Sequence, residues 1–109
     1  MAQYIVTGNY TQAAMKGMIA NPSDREKAVG AMIATAGGKL ESFFVTTGDT
    51  DFIARVSTDD LTSMLAALMA VGASGAVTNL KTVQCFTSAE FMDAQRKAAA
   101  IAAKFSAPN

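Results

Sequence analysis

The feature that most constrains this chain is the order in which two kinds of apolar pattern follow one another from Gln3 to Phe105. Apolar residues at every second position mark strands, and those at every third or fourth mark helices. Gln3 to Asn9 mixes β-branched residues with Tyr4 and breaks at Gly8-Asn9, which reads as a first strand. Thr11 can cap a short helix running through Met18. Asn21-Pro22 interrupts it, because proline has no amide to donate and biases its predecessor toward extended geometry. Ser23 and Glu26 have the spacing of a capping box, and Ala28, Val29, Met32, Ile33 and Ala36 follow with helical period up to Gly37-Gly38.

Lys39 to Thr46 and Asp51 to Val56 read as two strands, joined as a hairpin by the turn formers Thr47-Gly48-Asp49-Thr50. Ser57 to Asp60 supplies a cap and two acids for a helix from Leu61 to Ala73, ended at Gly75. Val77 to Phe86 is the last strand, and Thr87 with Glu90 makes a capping box ahead of a helix reaching Phe105. The order β-α-β-β-α-β plus one helix predicts an α+β, ferredoxin-like fold. We expect one domain over residues 1–109, with a core at 3–87 and a C-terminal helix at 88–105. Four antiparallel strands with helices on one face leave the other face bare, so a homodimer or higher oligomer is expected to cover it.

Composition narrows the function. Half of the residues are hydrophobic and only 17% are charged, which suits a packed core and not a disordered tail. Nine basic side chains balance nine acidic ones, so no net field favours nucleic acid or an anionic membrane, and neither is expected as a partner. The absence of histidine removes the usual general base and the usual neutral metal ligand. The single cysteine, Cys85, forms no intrachain disulfide, and no leader of signal-peptide type is visible, so the cytoplasm is the expected compartment. The longest apolar run, Met64 to Val71, is far short of the roughly 20 residues that span a bilayer.

With its elements placed, the chain resembles the bacterial GYD-domain family. Tyr4-Ile5-Val6-Thr7-Gly8-Asn9-Tyr10-Thr11 is similar to the family's opening, and Gly37-Gly38-Lys39-Leu40 before Phe43-Phe44 to its second block. Thr47-Gly48-Asp49-Thr50-Asp51 is similar to the signature loop, and Thr87-Ser88-Ala89-Glu90-Phe91 to the closing block. Thr50 stands where the signature has tyrosine, which removes any role needing a phenol there. The resemblance implies a dimeric α/β-barrel assembly and no established activity. The wider barrel superfamily holds small-molecule oxygenases, isomerases and plain ligand binders.

Several side chains are candidates for a ligand site. Asp49 and Asp51 flank Thr50, where a carboxylate pair could do acid-base work, although aspartate beside glycine is also an ordinary turn residue. No further oxygen ligands stand at helpful spacing, so no metal is expected. Arg55 shares a strand face with Asp51 and Ile53 and could anchor an anion or a carbonyl. The alternative is an ion pair, with Glu41 as one candidate. At a strand rise of about 3.3 Å, Asp51 and Arg55 are about 13 Å apart and do not pair directly. Tyr4, Asn9 and Thr46 complete the ligand-site expectation, each with a packing or turn role as the alternative. Met15, Met18, Met32, Met64, Met69 and Met92 fall on helices and are expected in the core. The helix from Leu61 to Ala73 is apolar all round, so one side should meet the sheet and the other the last helix or another subunit.

The function expected is therefore non-catalytic binding or assembly, with a small apolar ligand held at the interface between sheets and no cofactor. The alternative is a cofactor-independent oxygenase or isomerase using the same cavity. Few groups here move protons near neutral pH, which favours the first.

Overall fold

Two-residue alternation along the first strand sets the two faces of the molecule. In β1 (Ala2–Tyr10), Tyr4, Val6 and Gly8 are buried, while Ile5 and Thr7 between them keep partial exposure. The computed structural model describes residues 1–108 and continues with α1 (Gln12–Ala20), α2 (Arg25–Thr35), β2 (Lys39–Val45), β3 (Phe52–Thr58), α3 (Leu61–Ala73), β4 (Val77–Cys85) and α4 (Ser88–Ala102). The strands form one antiparallel sheet in the order β2-β3-β1-β4. This is the α+β ferredoxin-like arrangement, with α1 and α2 together occupying the first crossover.

The register explains the core. Tyr4 lies opposite Val56, Val6 opposite Ala54 and Gly8 opposite Phe52. These buried residues cluster with Phe43 and Met64, and Val29 of α2 and Leu68 of α3 pack against them. Phe52 stacks on Phe43 at 5.9 Å and meets Tyr10 at 5.5 Å between ring centroids. Its ring rests on Gly8, where a Cβ would stand 2.9 Å from Phe52 Cζ and 3.0 Å from Val77 Cγ1. Only glycine lets the ring approach the strand so closely. Beside it the β1–β4 register shifts between Thr7 and Asn9, and Asn79 takes the left-handed φ of 56°.

Most helix starts follow the expected chemistry. Thr11 Oγ1 accepts from the Ala14 amide at 3.2 Å, and Asp60 Oδ1 from the Ser63 amide at 3.0 Å. Thr87 and Glu90 form the reciprocal box, at 3.1 and 2.9 Å. The start of α2 corrects the sequence reading. Asp24, not Ser23, is the cap, accepting from the Lys27 amide at 3.2 Å, and its carboxylate complements the helix terminus better than a hydroxyl does.

Two expectations about packing also change. Of the six helical methionines only Met64 is buried, whereas Met15, Met69 and Met92 are 41%, 67% and 48% exposed. The cause is that α1 and α4 bury no side chain and that Leu61, Leu65 and Met69 on the outer side of α3 meet solvent. Within one chain α4 does not cover α3: every residue from Phe86 to Pro108 is exposed. The molecule is accordingly 60 Å long with a radius of gyration of 17.9 Å, against about 13 Å for a compact chain of this length.

Candidate functional site

The face of the sheet turned away from α2 and α3 is built of three cross-strand rows. One row runs Phe44–Ile53–Thr7–Lys81, the next Ser42–Arg55–Ile5–Val83, and the third brings Ser57 and Gln3 beside Cys85. No helix lies over them. Phe44 is 64% and Val83 58% exposed, so apolar side chains from both edge strands flank Ile53 and Ile5 as one continuous patch.

Arg55 projects from the centre of this patch and is exposed. Among the described residues it has no carboxylate within ion-pair distance. The pairing with Glu41 weighed from the sequence does not form. The β2–β3 register slips between Leu40 and Ser42, and Glu41 Oε1 accepts from Ser57 Oγ at 2.7 Å while Oε2 lies 3.9 Å from Lys39 Nζ. Alternation alone could not foresee this, because a bulge is set by the pairing strand.

Three other candidates meet at the hairpin end of the sheet. Asp51 Oδ2 accepts from the Tyr10 amide at 2.9 Å and from Asn9 Nδ2 at 3.4 Å. Asn9 Nδ2 also donates to the Asp49 carbonyl at 3.1 Å, and its Oδ1 accepts from Asn79 Nδ2 at 2.9 Å. Thr46 Oγ1 donates to the Thr50 carbonyl at 2.6 Å. These groups pin the hairpin to β1 and the β4 bulge. Tyr4 belongs elsewhere, because it is 8% exposed, sits in the core on the helix side and faces away from Arg55. The five residues therefore do not line one cavity in the single chain.

A cleft lies on the other side. Between α2 and α3, over a floor of Val6, Phe43 and Phe52, runs a cleft of about 330 Å³. Tyr10 and Arg25 line it, at the end where β1 closes and α2 begins. The sequence reading does not single out Arg25 or place Tyr10 beside it. The signal available was a cation at a helix start, where the macrodipole disfavours it. Tyr10 and Asp60 have shifted pKa values. Burial raises the Tyr10 phenol, with Asp51 adding to the rise and Arg25 opposing it, while hydrogen bonds from Ser63 and Thr62 lower the Asp60 carboxyl. Among the described residues no group of three or more carboxylates or thiols is placed to hold a metal ion, and no helix is long and apolar enough to cross a membrane.

The fold has solved counterparts. The TTHA0845 protein of Thermus thermophilus superposes with a TM-score of 0.51 at 19% identity, over 81% of this chain and 96% of that one. MtbAldR matches at 0.53 and 16% identity, over 80% of this chain and 52% of its own. A transcriptional regulator of Neisseria meningitidis, solved as a complex with L-Met, matches at 0.52 and 14% identity, over 80% and 51%. At these identities the likeness is one of fold alone. No functionally curated protein matches in sequence. The GYD domain profile covers residues 4–95, from the buried Tyr4 through the first two turns of α4, and the chain is a member of the GYD domain family.

Proposed function

We propose that this protein is a self-associating, non-catalytic binding protein in which two copies pair through the open faces of their sheets. The observation that carries the reading is the uncovered patch of Phe44, Ile53, Ile5 and Val83. A sheet with an apolar face needs a second layer, and a second copy supplies one of the same shape. Pairing would take Arg55 out of water, and a buried guanidinium is stable only when paired. Arg55 is thus the contact we assign to an anionic or carbonyl-bearing molecule held between the sheets, with Asn9, Thr46 and Asp51 at the hairpin rim.

The helix α4 belongs to the same assembly. A 15-residue helix that buries no side chain is marginal in water, yet α4 carries Phe91, Ala98 and Ile101 along one stripe, with Phe91 and Ile101 exposed. Packing that stripe on the second copy gives the helix its missing partner. The absence of catalysis is supported by the titratable groups: Asp60 is a helix cap, and the raised Tyr10 phenol is a weaker acid than an ordinary tyrosine.

Light scattering on the wild type and on Phe44→Lys combined with Val83→Lys tests the pairing. Both lysines point to solvent in a single chain, so the variant should keep the native circular dichroism while its mass falls to that of one chain. An unchanged oligomer would remove the open face from the interface.

A further inference from the structure

The cleft between α2 and α3 lies on the opposite face of the sheet from the pairing patch, so what it can hold is a separate question from self-association. Its floor and walls are hydrocarbon: Phe43, Phe52 and Val6 below, Val29 and Met32 on one side, Leu68 on the other. Three polar side chains break this lining: the Ser74 hydroxyl, which is occupied by the Val71 carbonyl at 2.6 Å and the Ala76 amide at 3.1 Å, the phenol of Tyr10 and the guanidinium of Arg25. Tyr10 and Arg25 stand at the same end, since Tyr10 is the last residue of β1 and Arg25 the first of α2.

Arg25 is half-buried. Apart from its approach to the Tyr10 phenol, its one hydrogen bond to a side chain is a 3.3 Å contact from Nη1 to Ser23 Oγ, and among the described residues it has no carboxylate within ion-pair distance. The neighbouring acids are otherwise engaged. Asp24 caps α2 through the Lys27 amide, and Asp51 accepts from the Tyr10 amide and Asn9. Most of the five donors of the guanidinium therefore remain free beside an apolar cavity. The phenol next to it stays protonated well past neutrality, since burial raises its pKa, and it can donate a hydrogen bond of its own.

We propose that this cleft is a binding site for a small amphipathic carboxylate, its apolar tail between α2 and α3 and its carboxylate on Arg25 and Tyr10. Shape and charge both limit the ligand. At about 30 Å³ for one water molecule in the liquid, the cleft has room for about eleven water-sized units, enough for a small molecule such as octanoate or an aromatic acid. A fixed fork of guanidinium donors matches a carboxylate in two parallel hydrogen bonds, which an alcohol cannot reproduce and an ammonium group repels.

The test uses octanoate, octan-1-ol and octylamine as probes of one tail with three head groups, titrated calorimetrically into the full chain at pH 7. Octanoate should bind saturably and about tenfold or more tighter than octan-1-ol, the gap expected of charge-assisted hydrogen bonds. Octylamine should not compete with it. Arg25→Gln should lower octanoate to the level of the alcohol while leaving the alcohol unchanged. Ala70→Phe, which fills the cleft from an exposed position on α3, should abolish both. Affinity for octanoate should stay flat from pH 6 to pH 9, because burial keeps the Tyr10 phenol protonated throughout. Octanoate that binds no tighter than octan-1-ol, or equally well to Arg25→Gln, overturns the proposal, as does binding that survives Ala70→Phe. Each readout holds for a monomer or a dimer, so failure here is distinguishable from failure of the sheet pairing.

Discussion

Phe43 and Phe44 are neighbours in β2 with opposite fates. Phe43 is 8% exposed and stacks on Phe52, whereas Phe44 is 64% exposed. The chain completes one face of its sheet by itself, closing α2 and α3 over a core that includes Phe43, Phe52, Val56 and Met64. It leaves the other face as an apolar surface with the Arg55 guanidinium at its centre, without an ion-pair partner among the described residues. Side chains of one chemical kind thus stabilise the fold on one side and form an uncovered apolar patch on the other, and the two should respond differently to mutation.

The largest effect should come from the closed face. Phe43→Ala removes a buried ring from the stack with Phe52 and should cost about 3 to 5 kcal/mol of unfolding free energy, read from urea unfolding. Phe44→Ala, one residue on, should leave unfolding of the isolated chain nearly unchanged while weakening self-association. If both substitutions destabilise the chain alike, the contrast between the faces fails.

Gly8→Ala sharpens the same contrast from the backbone. The added methyl must displace the Phe52 ring or Val77, so a loss of about 1 to 3 kcal/mol is expected in the same urea experiment. Thr7→Ala, one residue away on the open face, should change the midpoint little. At the level of single caps, Thr87→Ala removes half of the box that opens α4 and should cost about 1 kcal/mol of local helix stability, seen as faster amide exchange confined to the start of α4.

The smallest effect is electrostatic. Hydrogen bonds from Ser63 hold the Asp60 carboxyl below its ordinary value of 3.8. A folded-state pKa that is depressed gives stability present above the ordinary value and lost as pH falls through the folded one. The gap in melting temperature between the wild type and Asp60→Ala should therefore hold near neutrality and narrow below about pH 4. A gap independent of pH would show that the charge of the cap contributes nothing.

Much of the fold was legible because the punctuation was local. Thr11, Asp60, Thr87 with Glu90 and Gly37 each act within a few residues, and the strands between them alternate plainly. The start of α2 was placed one residue early because Ser23 and Asp24 are both good caps, and the choice depends on backbone angles beyond Pro22. The site was less legible. Arg55 on the bare face could be read from alternation, but the partner of Glu41 could not, since the slip after Leu40 is decided by how β2 lies on β3. Tyr4 was grouped with Arg55 although its register puts it on the other face, beside Val56. The cleft with Tyr10 and Arg25 arises from six elements distant in sequence, and no spacing announces it. The methionines were misplaced because α1, α3 and α4 present apolar sides that nothing in a single chain covers.

Sedimentation equilibrium of the wild type over a range of concentrations addresses the open face most directly. A species of about twice the chain mass of 11.3 kDa, or a larger multiple of it, is the expected result. A single 11.3 kDa species at every concentration would mean that the chain tolerates its bare apolar face alone, and would contradict the pairing of sheets.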